Sequence, residues 1–322
     1  MLTTIFVSKK RWNGCRLLAK LLGVSYPAVP GYVNAENIIS WGVPPTFQVN
    51  ALKLPKIFNK AEAVAVAVSK LRTLTKLKEA GVPCLEFGTN AQALRAAHPE
   101  QILVARTLTA STGGKGIVII RPNAPITAAP LYTVYARKRA EYRVHVVTNP
   151  NGEASYFIQQ KRKKEGVEQT EDQKLIRSHA NGWTFAVNNL TLTSAERPVI
   201  QSLALAAVKA VGLDFGAVDI VQRVNGNFLV CEINTAPGLE GESTLNFYRD
   251  AIPKMLGSQS AIAQAPVVVV VPKPPRVVKI TSYLVIPSED DIVEASIGAW
   301  ISAHINDAHG LSWSIDGPTQ SP

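Results

Sequence analysis

Asp219, Glu232 and Asn234 are the residues best spaced to do chemistry together. Strands are expected over Phe215 to Arg223 and Phe228 to Ile233, around Asn225-Gly226, the pair that most strongly marks a two-residue hairpin. In that register paired residue numbers sum to 451, so Asp219 lies opposite Glu232. Asn234, two residues further on, shares their face. The neighbours Val218, Ile220, Val221, Leu229, Val230 and Ile233 are apolar, which makes the hairpin at least half buried. Two adjacent carboxylates in such a place repel, and need a proton, a basic partner or a cation. Two carboxylates and an amide oxygen suit a hard ion such as Mg²⁺. The alternative is a surface hairpin with solvated acids at its ends.

A second candidate is the glycine loop running from Ser111 through Gly113, Gly114 and Lys115 to Gly116. Successive backbone N–H groups in such a loop can cradle phosphate, and Lys115 adds charge. The spacing is not that of a Walker A loop, because Gly116 follows the lysine. A plain hairpin connection is the alternative. Asp214-Phe215-Gly216 spells a kinase motif, but no catalytic loop precedes it and the match is chance. His98, His145, His179, His304 and His309 show no metal-ligand spacing, and no Ser/His/Asp arrangement is present.

These residues need elements to position them. Thr3 to Val7, Arg11 to Leu22 and Ile38 to Trp41 read as strand, helix and strand, a small α/β beginning. Ala61 to Ala80 reads as one strong helix, with an apolar stripe from Val64 to Leu77, terminated by Gly81 and Pro83. Strands are expected at Ile102 to Arg106 and Gly116 to Ile120 on either side of the glycine loop. Further strands are expected at Leu131 to Ala136, Glu141 to Val147 and Ala154 to Gln160. A second helix carries Ile200 to Val211. Thr193 and Glu196 have capping-box spacing before it, although Pro198 favours Ser194 as the cap. Pro266 to Pro275 reads as a Pro/Val-rich linker, and 277–322 as a separate acidic extension.

Composition narrows the class. The 322 residues are 46% hydrophobic and 18% charged, a globular balance that excludes a largely disordered chain. Three cysteines without a C-x-x-C pair argue against zinc or a disulfide framework and for a reduced cytoplasmic protein. No apolar run approaches the length of a membrane helix, so no membrane partner is expected. The net charge of +10 is uneven: residues 137–164 carry +6 and residues 280–322 carry −6. An anionic partner for the basic part is expected. Nucleic acid is disfavoured because aromatics are not interleaved with the basic run. Arg137-Lys138-Arg139 reads as a solvated face.

Taken in order, these motifs resemble the ATP-grasp superfamily, most closely its carboxylate–amine ligases such as the ribosomal-protein glutamate ligases and glutathione synthetases. The chain is especially similar to ATP-grasp proteins of tailed bacteriophages, which would place it in a host cytoplasm. The resemblance spans about residues 38 to 250 and is strongest from Gly212 to Asp219 and from Leu229 to Gly238. It implies an α+β, two-lobed ATP-grasp fold behind a small α/β domain at 1–58, with lobes at 59–130 and 131–256, a linker at 257–276 and the extension beyond. It implies ATP with Mg²⁺ (or Mn²⁺ in its place) on Asp219, Glu232 and Asn234. Lys70 would contact phosphate, and Ser111 to Gly116 would cover the triphosphate. The strand carrying Tyr132, Thr133 and Val134 would meet adenine, and Glu141 the ribose. Arg143 would follow into the site, and Lys161 would face phosphate or substrate. Arg106 stands where the family usually has a lysine; it keeps the charge and can bind phosphate with two N–H groups. The activity implied is amide formation between a carboxylate and an amine, small molecules or peptide ends, through an acylphosphate, with a homo-oligomer left open. The alternatives are a non-catalytic or regulatory nucleotide-binding protein with a basic partner- or nucleic-acid-binding surface, and an ATP-grasp phosphotransferase.

Overall fold

The computed structural model describes residues 3–7, 12–26, 35–42, 55–108 and 115–257. The apolar stripe after residue 60 forms, but as two helices, α2 (Ala61–Val68) and α3 (Lys70–Glu79). The expectation of one continuous helix is thereby corrected. Ser69 leaves the helical region at φ −88°, ψ 110°, and its side chain accepts from the Arg72 N–H as the cap of α3. The Thr73 hydroxyl donates to the carbonyls of Val66 and Ala67, serving the end of α2. Lys70 therefore opens a new helix instead of continuing an old one.

The described residues form three sheets. The first is parallel: β1 (Thr3–Val7), β2 (Asn37–Trp41) and β3 (Lys56–Phe58), with α1 (Trp12–Leu22) as its crossover. The second is antiparallel in the order β4 (Phe87–Gly88), β7 (Leu131–Val134), β5 (Leu103–Arg106), β6 (Ile117–Ile120), with α4 (Ala91–Ala97) packed into its core. The third is antiparallel in the order β10 (Trp183–Ala186), β9 (Ala154–Lys163), β8 (Lys138–Thr148), β11 (Phe215–Arg223), β12 (Phe228–Asn234). The short helix α5 (Glu171–Leu175) precedes β10. The helices α2, α3 and α6 (Glu196–Ala210) bury their apolar stripes with the third sheet in one core. Just before α6, Thr193 and Glu196 make the reciprocal bonds expected of a capping box, the Thr193 hydroxyl accepting from Glu196 N–H while the Glu196 carboxylate accepts from Thr193 N–H, although the helix itself starts at Glu196 with Ala195 at the N-cap.

Another core gathers around Trp41, Phe215 and Tyr248 and includes α7 (Glu242–Met255), a helix missed in sequence reading. It joins residues of the first sheet to Val147 and Phe215 of the third. Trp41 Nε1–H donates to the Pro237 carbonyl, and a Cβ on Gly42 (φ +74°) would come within 2.4 Å of Ala236. The first sheet therefore abuts the segment that follows Asn234. Asp214 of the chance kinase motif has a structural role: it accepts from the N–H of Asn59, whose side chain bridges the backbone of Asp214 and Phe215.

Candidate active site

The hairpin delivers its acids by a route the sequence did not show. Four residues, Val224 to Asn227, separate β11 from β12, and the Arg223 N–H donates to Asn227 O, closing a three-residue loop, Val224-Asn225-Gly226, in which Gly226 takes φ +89°. The expected two-residue turn is corrected. From this turn the paired numbers sum to 450, as in Val221↔Leu229 and Ile220↔Val230, a register that would set Asp219 opposite Cys231. A β-bulge between Asp219 and Ile220 shifts the count by one and restores Asp219↔Glu232 and Ala217↔Asn234. Glu232 and Asn234 thus stay on the face of Asp219. Asn234 Nδ2 lies 3.4 Å from the Ala217 carbonyl, which leaves its oxygen as the acceptor end.

Asp219, Glu232 and Asn234 line a cleft of about 350 Å³ whose walls come from both antiparallel sheets. An apolar stretch of wall is formed by Leu85, Val104, Ile119, Val134 and Val221. Seven cationic side chains line it (Lys70, Arg106, Lys115, Lys138, Arg143, Lys161 and Arg177) against three acids, Glu141, Asp219 and Glu232. Such an excess suits a polyphosphate.

The acids are held in a charge network. Across the third sheet Gln159, Arg143, Asp219 and Glu232 stand in one row. Arg143 grips both oxygens of Asp219, Nε to Oδ1 at 2.7 Å and an Nη to Oδ2 at 2.8 Å. Lys161 lies 3.8 Å from Asp219 Oδ2 and hydrogen-bonds Glu141. Lys138 reaches the other oxygen of Glu141 at 3.0 Å, and Lys70 lies 3.4 Å from Glu232. Burial pushes the Glu141 carboxyl up, but Lys138 and Lys161 outweigh it and hold it at about 2. Burial likewise opposes the charge on Asp219, and Arg143, then Lys161, outweigh it and keep its pKa below the ordinary value. Among the described residues no three His, Cys, Asp or Glu side chains form a metal site by themselves. The set here is two carboxylates completed by an amide oxygen, and all three donors fit a hard divalent cation.

The structure brings most of the sequence-derived site residues together. Lys70, Arg106, Lys115, Thr133, Val134, Glu141, Arg143 and Lys161 all line the cleft with the three acidic-hairpin residues. Tyr132 packs away from it, in the core of the second sheet, where its hydroxyl donates to Thr127 O and accepts from Ala129 N–H. Gly116 closes the loop, its carbonyl accepting from Thr107 N–H, and its φ of +71° beside Leu108 leaves no room for a Cβ. Ser111, Gly113 and Gly114 lie outside the described residues, as do the linker from 258 and the extension at 277–322.

Among the lining residues that the sequence did not point to are Lys138, Arg177, Trp183 and Phe185. Lys138 turns into the cleft, while Arg137 and Arg139 are exposed as expected of a solvated face. Arg177 lies over the Trp183 ring at 4.6 Å; its Nε–H and the Trp183 Nε1–H are buried without a hydrogen-bond partner. Phe185 covers Arg143 at 4.4 Å and Lys161 at 5.6 Å. The alternation of Trp183 and Phe185 was the available signal for a strand with one face turned to the site.

Two antiparallel sheets closing on a cationic cleft, with an acidic hairpin at one side, define the class: the chain has the ATP-grasp fold. No family profile matches the chain. Over 235 residues it is 25% identical to a probable alpha-L-glutamate ligase of Haemophilus ducreyi, covering 71% of this chain and 73% of that protein. The carboxyaminoimidazole ribonucleotide synthase of Aspergillus clavatus, complexed with ATP, superposes with a TM-score of 0.58 at 14% identity, over 80% of this chain and 76% of the other. The VanG D-Ala:D-Ser ligase of Enterococcus faecalis does so with a TM-score of 0.50 at 13% identity, over 70% and 73% of the two chains. The name of the Haemophilus relative agrees with the expectation of a ligase, and the two solved structures share the fold. Among the described residues no helix is long and apolar enough to cross a membrane.

Proposed function

We propose that the protein is an ATP- and Mg²⁺-dependent carboxylate–amine ligase. The observation that carries this reading is the meeting of Asp219, Glu232 and Asn234 with Lys70, Arg106 and Lys115 in one cleft that also has an apolar wall. The apolar stretch takes adenine, Glu141 the ribose, and the basic side chains the phosphates. Asp219, Glu232 and Asn234 hold the divalent cation, which when bound offsets charge on the terminal phosphates.

The residues then act by position and charge. Lys70, Arg106 and Lys115 align the triphosphate, and Arg143 and Arg177 meet the charge that develops on the transferring group. A substrate carboxylate oxygen attacks the γ-phosphorus and ADP leaves. The amine nitrogen of the second substrate attacks the acyl carbon of the resulting acylphosphate, and inorganic phosphate leaves as the nitrogen loses its proton. No protein nucleophile takes part. Phe185 and Trp183 limit water near the acylphosphate. The name of the Haemophilus relative points to glutamate as one substrate.

The test is amide formation from ATP, glutamate and a panel of carboxylate and amine partners, read by mass spectrometry together with ADP release. ADP release with no condensation product across the panel, or a phosphate ester instead of an amide, would discard the ligase reading.

A further inference from the structure

The grip of Arg143 on Asp219 has a consequence for how a cation reaches this site. The contact is side-on: each carboxylate oxygen accepts one hydrogen bond from the guanidinium, at 2.7 and 2.8 Å, with Asp219 only 4% exposed and Lys161 Nζ 3.8 Å from its Oδ2. Glu232 has its own cation in Lys70 at 3.4 Å. A divalent cation bound directly to Asp219 would need an oxygen at about 2.0–2.6 Å, on a carboxylate that already gives one lone pair of each oxygen to the guanidinium, and would be repelled by three basic groups, Arg143, Lys161 and Lys70. Phosphate is the other ligand a guanidinium binds with two parallel hydrogen bonds. Arg143 shares the cleft with Arg106, Lys115 and Lys70, so a polyphosphate bound there offers that alternative. Phe185, stacked on the guanidinium at 4.4 Å, gives the side chain an apolar platform on which to swing.

We infer that Arg143 is a built-in counter-ion for Asp219 that must be displaced before the metal binds. Nucleotide phosphate draws Arg143 away, Asp219 is released to the cation, and the two ligands bind cooperatively while either alone binds weakly. The inference rests on the metal assignment made under Proposed function, and goes beyond it by giving Arg143 a role in the order of binding. By linkage, whatever factor the phosphate confers on the cation, the cation confers on the phosphate.

The test needs no substrate. Mn²⁺ is titrated into nucleotide-free protein, and free Mn²⁺ is read by electron paramagnetic resonance. Wild type is compared with Arg143→Met, with Arg143→Lys and with the double variant Arg143→Met/Asp219→Asn. Arg143→Met should bind Mn²⁺ about tenfold or more tightly than wild type, and Arg143→Lys, which cannot hold both oxygens, should fall between. The Lys variant decides the matter if the Met variant does not fold. Wild-type affinity equal to that of the Arg143 variants, or no binding by any of them, overturns the proposal. A gain that persists in the double variant shows instead that the cation is not on Asp219. That outcome fails the metal assignment and the proposal together, whereas binding of a fluorescent ATP analogue reports separately on the nucleotide site.

Discussion

On the proposed reading Asp219 is the central acid of the cleft: it is buried, and Arg143 and Lys161 favour its charged form. Removing its charge while keeping its shape tests its role, with unfolding measured alongside because Arg143 then loses its buried counter-charge. Asp219→Asn and Glu232→Gln should each lower Mg²⁺-dependent ATP turnover by about 100-fold or more, with near-native circular dichroism. Unchanged turnover in both would show that the hairpin is not the metal site. Arg106 is where the sequence departs from the ATP-grasp ligases it resembles. Arg106→Lys should keep nucleotide affinity within a few-fold, and Arg106→Ala should weaken it by about tenfold, as expected for loss of a charge-assisted hydrogen bond. Isothermal titration with a non-hydrolysable ATP analogue measures both. Equal affinity of wild type and the Ala variant would remove Arg106 from the phosphate site. At this scale the residue types were legible in the sequence: acids on an apolar hairpin and basic residues at strand ends. The partners of each charge were not, because Arg143–Asp219 and Lys161–Glu141 are formed across strands distant or offset in the chain.

Two small backbone events place those residues. The break at Ser69 starts α3 at Lys70, and the bulge opposite Asp219 returns Glu232 to the cleft face. Ser69→Ala removes the cap and should cost about 1 kcal/mol in denaturant unfolding, with a rise in KM for ATP as Lys70 loses its anchor. A stability loss without any change in KM would mean that the break does not position Lys70. Gly42 is the contact point between the first sheet and the segment after Asn234. Gly42→Ala puts a Cβ 2.4 Å from Ala236 at a φ of +74° and should destabilise the protein by about 1–3 kcal/mol. A wild-type unfolding midpoint would show that this junction yields without cost. The helical stripe and the hairpin were both readable from periodicity. The break and the bulge were not, since an apolar stripe continues across Ser69 and Asn225-Gly226 fits a two-residue as well as a three-residue loop.

At the scale of the whole molecule, buried polar groups tie the third sheet to α7 and should shape the pH dependence of stability. His145 lies between Tyr248 and Gln159, and Gln159 passes the link to Thr244. Burial holds His145 neutral and lowers its pKa to about 4. The folded state therefore takes up that proton less readily than the unfolded chain. Stability is full above about pH 6.5 and falls as pH drops towards 4, by an amount on the order of 3 kcal/mol. Glu141 acts in a lower window: its carboxyl titrates at about 2 when folded, so its contribution is present above the ordinary glutamate range and is lost as pH falls from about 4.5 to 2. Urea unfolding followed from pH 7.5 to 4 should show the first slope, and His145→Gln should abolish most of it. An identical slope in the variant would place the titration elsewhere. The basic excess around the cleft should also make the proposed nucleotide binding salt-sensitive: affinity should fall between about 0.05 and 0.3 M NaCl, and flat affinity would argue that the polyphosphate is held by few charges.

The sequence by itself determined the α+β class, the hairpin with its facing acids, the order of the motifs and the presence of a basic population larger than a surface needs. Those properties reside in residue type and in spacings of two, three and four, which chain geometry imposes locally. Only the tertiary structure decided which basic residues turn inward, where the helix breaks, how a bulge corrects the register and which cation sits on which acid. Each of those depends on free-energy balances between segments far apart in the chain: a capped helix end against a continuous helix, or a buried carboxylate against the guanidinium that keeps it charged.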